Sequence, residues 1–329
     1  MKIGLSILSL LSISSALANT ESSPPDFNFP LKCHYGKNCF IQNYFDTQPG
    51  PQAKDYRCGS MTYSGHKGTD IRIKNLVEMN SGVNVIAAAP GTVHAIRNNM
   101  NDTYLRKQDR ARLNPVGLGN AVIINHGSGW QSIYGHMKKS SVRVKKGDQV
   151  TTGMVIGEIG LSGLTEFPHL HFGIKHHGVN IDPFTASGAS GSCGNTMSSL
   201  WSEQALETLV YQPGYLLDYG FSGTAPKNYR EVETGAFYNN ITPDDKTLFF
   251  WVRLAGLMAS DSIELKLFSS DDNLIKTHRF PKNKNYKAQQ VIYLGVKKDP
   301  STLPVKKAQV NVWRNRILYI NKTVDTPKE

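Results

Sequence analysis

The stretch Phe167-Pro-His-Leu-His-Phe-Gly-Ile174 decides how the chain is read. Two histidines one residue apart stand in an apolar run that ends in β-forming residues, which predicts a strand. Side chains at i and i+2 of a strand share a face, so His169 and His171 project into one space. Two titratable rings held side by side imply a metal or a proton-transfer task. Upstream, Ser64-Gly-His-Lys-Gly-Thr-Asp-Ile71 carries His66 and Asp70 at an even spacing, which on extended backbone also puts them on one face. His66, Asp70 and one histidine of the 169/171 pair make a three-donor set for Zn²⁺, leaving a fourth tetrahedral position for water. Such an ion acidifies the water and polarises a carbonyl. The helical His-Glu-x-x-His motif is absent, so the base comes from elsewhere. His136, in Ile133-Tyr-Gly-His-Met137, and the non-ligating histidine of the pair are the candidates to activate the water and stabilise an oxyanion. Glu166 is the alternative base.

Around these residues the pattern is short β-type runs separated by Gly, Pro and Asn. Strands are expected at 83–89, 92–96, 120–126, 130–136, 142–145, 155–160 and 170–175, with no amphipathic helix between them. Gly127-Ser-Gly129 is a hairpin signal. Residues 97–118 are polar and basic without a strand period, and read as a long inserted loop. Beyond a small-residue stretch at 186–199, a short helix is expected over 200–210. Strands follow at 247–254, 262–268, 274–280, 289–295, 308–313 and 317–322. The fold class is all-β, and the second half has the size and strand pattern of a sandwich.

The 329 residues suffice for two domains with cores of their own. A formal charge of +11 predicts attraction to a polyanion. Met1-Lys2, the apolar Ser-rich run to Leu17 and Ala16-Leu-Ala18 have the layout of a secretory signal peptide cleaved after Ala18. Export makes genomic nucleic acid an unsuitable partner and favours cell-wall polymer. No later run is long enough for a transmembrane segment. Cysteines 33, 39, 58 and 193 fit an oxidising compartment. Of the three possible pairings, Cys33–Cys39 and Cys58–Cys193 are favoured; a four-thiolate zinc site lacks a Cys-x-x-Cys pair.

The His-x₃-Asp element, Tyr134-Gly-His-Met137, the Gly147-Asp148…Gly153…Ile156-Gly157 run and Pro168-His-Leu-His171 occur in that order. Together they resemble the lysostaphin/LytM-type zinc metallopeptidases, which hydrolyse peptide bonds of bacterial peptidoglycan. Val85–Val93 and Gly119–Gly127 are similar to that family's strands, and the resemblance covers residues 60 to 185. It implies that His66, Asp70 and His171 bind one Zn²⁺ and that His136 and His169 assist catalysis. The basic insertion after Ile96 departs from the family pattern.

The organisation expected is a signal peptide over 1–18, a disulfide-pinned cap over 19–59 and a LytM-like zinc peptidase domain over 60–187. A linker over 188–199 and a β-sandwich accessory domain over 200–329 complete it. The implied function is a periplasmic or secreted endopeptidase of peptidoglycan stems or cross-bridges, with periplasm favoured. A cell-envelope protein is a candidate partner of the C-terminal part. A catalytically silent or autoinhibited regulator of wall hydrolases, and a peptidase of Gly-rich proteins, are the alternatives.

Overall fold

The structure, a computed structural model, describes residues 23–327 apart from 49, 190–192, 195–197, 239 and 299–303. The expected signal peptide and part of the expected linker lie outside the described residues.

In chain order the first half contains β1 (Cys39–Asn43), β2 (Thr69–Ile73), α1 (Leu76–Ser81), β3 (Asn84–Ile86), β4 (Gly91–Arg97) and α2 (Arg110–Leu113). There follow β5 (Asn120–Gly127), β6 (Trp130–Met137), β7 (Gln149–Val150), β8 (Val155–Glu158), β9 (His169–His176), β10 (Val179–Ile181) and α3 (Glu203–Thr208). The second half adds β11 (Tyr215–Ser222), α4 (Tyr229–Glu233), β12 (Thr247–Leu257), β13 (Ser262–Phe268), β14 (Leu274–Phe280), β15 (Lys287–Lys297), β16 (Lys307–Arg314) and β17 (Ile317–Asp325). The protein is all-β, with antiparallel sheets and a few short helices.

An antiparallel sheet in the order β1-β2-β9-β6-β5-β4-β7, with β10 paired to β9, builds the first half. Its central strands carry the apolar residues that the alternation marks: Ile71, Val122, Ile124, Tyr134, Leu170 and Phe172 are buried in one core. The N-terminal segment is part of this body, because β1 supplies the edge strand against β2 and Phe27, Phe40 and Ile41 join the same core. The chain also returns to it later: Leu200, Trp201, Ala205 and Leu209 pack there, and Phe27 bridges Trp201. The expected division at 199/200 therefore meets a continuous core. Disulfides link Cys33 to Cys39 and Cys58 to Cys193.

Two differences from the expected elements have local causes. Helix α1 is six residues long, too short for a helical period to show, and it is held by Asn75, whose side chain accepts from Glu78 N. Residues 142–145 do not form a strand; they run beside β8, with the Arg143 N–H donating to the Ile156 carbonyl.

In the second half, sheets β11-β12-β15 and β14-β13-β16-β17 enclose a separate cluster. Strand β13 shows why: Ile263, Leu265 and Leu267 are buried, while Ser262, Glu264 and Lys266 alternate outward. The two halves meet across buried charge. Glu233 Oε1 lies 2.6 Å from Arg72 Nη2 and 2.9 Å from Arg253 Nη1, and all three side chains are inaccessible to solvent. Arg253 also reaches Asp218 at 3.2 Å, and the Tyr104 hydroxyl donates to Glu233 Oε2 at 3.0 Å. Glu233→Ala leaves two buried guanidinium groups short of a counter-charge. Loss of about 3–5 kcal/mol is expected in urea unfolding.

Asp182 is almost wholly buried at the turn after β10, where its carboxylate accepts from Phe184 N and the Thr185 hydroxyl. Burial pushes its pKa up to about 7, against the two hydrogen bonds. Between the unfolded value near ~4 and this one, the folded chain holds a proton that the unfolded chain has released. This carboxyl's favourable contribution is thus present below about pH 4 and is lost as the pH rises through about 7. Asp182→Asn removes the titration. Its stability relative to wild type should rise by on the order of 4 kcal/mol between pH 4 and pH 8, read from urea midpoints across that range.

Candidate metal centre

Strands β2 and β9 are neighbours, and their register sets Asp70 opposite His171 and Arg72 opposite His169. Residues paired across an antiparallel ladder point to the same face, so Asp70 and His171 converge. His66 lies just before β2 and outside it, in a turn closed by its N–H on the Tyr63 carbonyl. The expectation of one extended segment carrying both His66 and Asp70 therefore gives way to a turn followed by a strand. His136 comes from the end of β6, the other neighbour of β9, where Gly135 faces His171. Its φ of 59° is uncommon for a residue with a Cβ, and it marks local strain at the site.

Asp70 Oδ1 is 3.0 Å from His66 Nε2 and 2.8 Å from His171 Nδ1, and these two nitrogens are 3.4 Å apart. A tetrahedral zinc with bonds of 2.0–2.1 Å separates its donors by about 3.3 Å, so an ion fits here with shifts of a few tenths of an ångström. Among the described residues this is the one group of three such donors. Hydrogen bonds behind it set the donors. His66 Nδ1–H donates to the Tyr44 carbonyl at 2.7 Å, which leaves Nε2 with its lone pair, and Asn43 Nδ2 donates to Asp70 Oδ2 at 3.0 Å.

The other two imidazoles are oriented in the same way. His136 Nδ1–H donates to the Ser162 carbonyl at 2.7 Å. His169 Nδ1 lies 2.9 Å from the Phe167 carbonyl and 3.0 Å from the Thr165 hydroxyl. In each case Nε2 is left as the proton acceptor. The His136 and His169 ring centroids are 4.6 Å apart, and His169 Nε2 is 3.4 Å from Asp70 Oδ1.

Burial governs the electrostatics. It would raise the Asp70 pKa, but His66, His169 and hydrogen bonds from His169 and His171 hold the carboxyl well below its usual range. His66 is raised: burial opposes this, and Asp70 and the Tyr44 carbonyl outweigh it. Burial lowers His171, with Asp70 opposing. Burial, with His169 and His171 alongside, holds His136 well below the normal imidazole value, so its ring is neutral at neutral pH. The His171 side chain is 13% exposed and is the edge of the set most open to solvent. A surface cavity of about 420 Å³ reaches the donor set at His66 and is lined also by Lys67, Ser64, Gln48, Asp46 and Asn180.

The structure thus brings His66, Asp70, His136, His169 and His171 to one place. Glu166 is not among them; its half-exposed carboxylate faces Arg110 at 3.7 Å. Sequence reading passed over Asn43, the carbonyls of Tyr44 and Ser162, and Tyr63, whose exposed ring lies 4.5 Å from that of His66. Asn43 and Tyr44 reach the site through the pairing of β1 with β2, and carbonyl groups leave no mark in a sequence.

An antiparallel β body presents a His–Asp–His donor set that could hold a metal ion, with two further imidazoles beside it. Residues 64–183 match the model of peptidase family M23, and that stretch is similar to this LytM-type family. An uncharacterized metalloprotease of Haemophilus influenzae is 30% identical over 131 residues, covering 40% of this chain and 23% of that one. The DD-carboxypeptidase/endopeptidase Mpg of Neisseria meningitidis is 34% identical over 71 residues, 22% of this chain and 16% of its own. The murein hydrolase activator EnvC of Escherichia coli is 37% identical over 67 residues, 20% of this chain and 16% of its own. The chain spans less than a quarter of the length of each of these relatives.

Gly68 separates His66 from β2 at the point where the His171 ring crosses the backbone. A Cβ there would stand 2.6 Å from two His171 ring atoms and 2.7 Å from the Phe172 carbonyl oxygen. Gly68→Ala should push the His171 ring out of place and weaken Zn²⁺ binding by roughly 10–100-fold, the scale of a disturbed ligand support. Competition titration with a chromogenic chelator measures it.

Proposed function

We propose that the protein is an exported zinc metallopeptidase that hydrolyses peptide bonds of peptidoglycan. The observation that carries this reading is the complete set: Asp70 Oδ1 with the His66 and His171 nitrogens gathered on it, and two further imidazoles whose Nδ1 atoms are committed to carbonyl groups. His66, Asp70 and His171 would hold the ion, which when bound supplies a Lewis acid and lowers the pKa of a water. His136, kept neutral by burial, offers Nε2 to take a proton from the attacking water. His169 presents a second Nε2 next to it. The imidazole that gains the proton hydrogen-bonds the developing oxyanion and then returns the proton to the leaving amine, so the exchange closes with one water consumed.

The murein named for the Escherichia coli relative supports a peptidoglycan substrate, and the +11 formal charge suits an anionic wall. Two disulfides favour an oxidising compartment, and no helix among the described residues is long and apolar enough to cross a membrane. The resemblance to a hydrolase activator makes a regulator the competing reading. The full donor set favours hydrolysis.

Incubation of purified peptidoglycan with the protein, with and without a zinc chelator, tests the proposal. New peptide termini that vanish with chelator are expected, and an untouched wall in the presence of bound zinc would give the regulator reading the advantage. His171→Ala should lose metal and activity together. His136→Ala should keep one zinc per chain and lose about 10²–10⁴-fold in turnover; a zinc-free His136→Ala protein would refute its assigned role.

A further inference from the structure

The second half carries a cavity that the peptidase reading does not use. It measures about 350 Å³ and is lined by Ser260, Ser262, Arg279, Lys282, Trp313 and Arg316. Among the described residues three cations, two hydroxyls and one indole face it, and no carboxylate does. The nearby acids are engaged elsewhere: Asp261 is held by Arg314 at 2.7 Å, and Glu264 by Lys266 at 3.0 Å and Arg279 at 3.2 Å. Arg279 is in turn stacked 5.3 Å over the Trp313 ring. The Lys282 and Arg316 side chains form no ion pair or hydrogen bond among the described residues. Two free cations at the rim of a concave, hydroxyl-bearing site are placed to receive an anion.

The hairpin that carries Arg316 strengthens the point. Asn315 and Arg316 join β16 to β17 with φ of 50° and 69°, both in the left-handed region. The second position of such a turn favours glycine. An arginine there holds the backbone in a conformation disfavoured by its own Cβ, and the one thing it brings that glycine lacks is the guanidinium group. Leading away from Trp313, the same face of β16 and β17 bears Gln309, Asn321 and Thr323, with Asn311 buried between them. Their side chains hydrogen-bond in a row: Asn321 to Asn311, Asn311 to Gln309, and Gln309 to Thr323. A row of amides and a hydroxyl running up to an aromatic ring offers alternating donors and acceptors.

We propose that this cavity and the adjoining face bind an acidic saccharide, with a sugar ring against Trp313 and its carboxylate or phosphate held by Arg316 and Lys282. A carboxylate on a uronic acid and a phosphate on a sugar present the same chemistry to these cations. The site is distinct from the metal centre, and its test requires neither metal nor hydrolysis, so its failure would leave the peptidase reading untouched.

The full chain is titrated calorimetrically with an oligogalacturonate, a phosphorylated oligosaccharide, a neutral oligosaccharide of equal length and inorganic phosphate. At least one acidic oligosaccharide should bind tenfold or more tightly than the neutral one, and which of the two does so identifies the anion. Arg316→Gly should weaken that binding at least tenfold while its melting temperature stays equal to or above wild type, because the turn is relieved. Trp313→Phe should weaken binding to the acidic and neutral oligosaccharides alike. Inorganic phosphate binding as tightly as the saccharides would overturn the proposal, as would an Arg316→Gly variant of unchanged affinity. Binding to phosphatidylglycerol vesicles through the neighbouring exposed Ile317, with no saccharide bound, would overturn it in favour of a lipid surface.

Discussion

One carboxylate oxygen, Asp70 Oδ1, has nitrogens of three imidazoles within 3.4 Å. Everything else at the site follows from keeping that arrangement. The β2–β9 register sets Asp70 against His171, and a slip of one residue between the strands would leave Asp70 and the two β9 histidines on opposite faces. His66 must then arrive from a turn and not from the strand, since it approaches the same oxygen from four residues earlier. Carbonyl groups fix the tautomers of His66, His136 and His169, so each of these rings offers Nε2 without having to reorient.

The second half of the chain is coupled to this arrangement through charge. Arg72 lies opposite His169 in the β2–β9 ladder, and its guanidinium is 4.7 Å from the Phe167 ring. Phe167 is in turn 4.5 Å from His169. The counter-charge that makes a buried Arg72 tolerable is Glu233, which belongs to the following body along with Arg253. A side chain beside the site is therefore neutralised from outside residues 64–183, and a family match limited to that stretch does not reveal the dependence.

What was legible in the sequence was whatever repeats with a period or sits at a short spacing. Strand β13 could be read almost to the residue, because one buried and one solvated face produce strict alternation. His169 and His171 could be read as sharing a face, since two residues on one strand need no knowledge of partners. His66 with Asp70 was legible as a pair but not as a shape: the turn depends on a hydrogen bond to Tyr63 and on left-handed Gly65. Asn43, the Glu233 cluster and the return of Trp201 to the first core were not legible. Each depends on contacts between segments far apart in sequence, which no local pattern encodes.

Both disulfides join cysteines that are consecutive along the chain: the first with the second, and the third with the fourth. For a polypeptide that emerges N-terminus first into an oxidising compartment, this order has a kinetic meaning. Cys33 finds Cys39 six residues later, before any competitor has appeared, and Cys58 then has no free thiol to meet until Cys193 arrives 135 residues on. An oxidant that links thiols as they come out produces the native pairing directly, with no wrong bridge for an isomerase to undo.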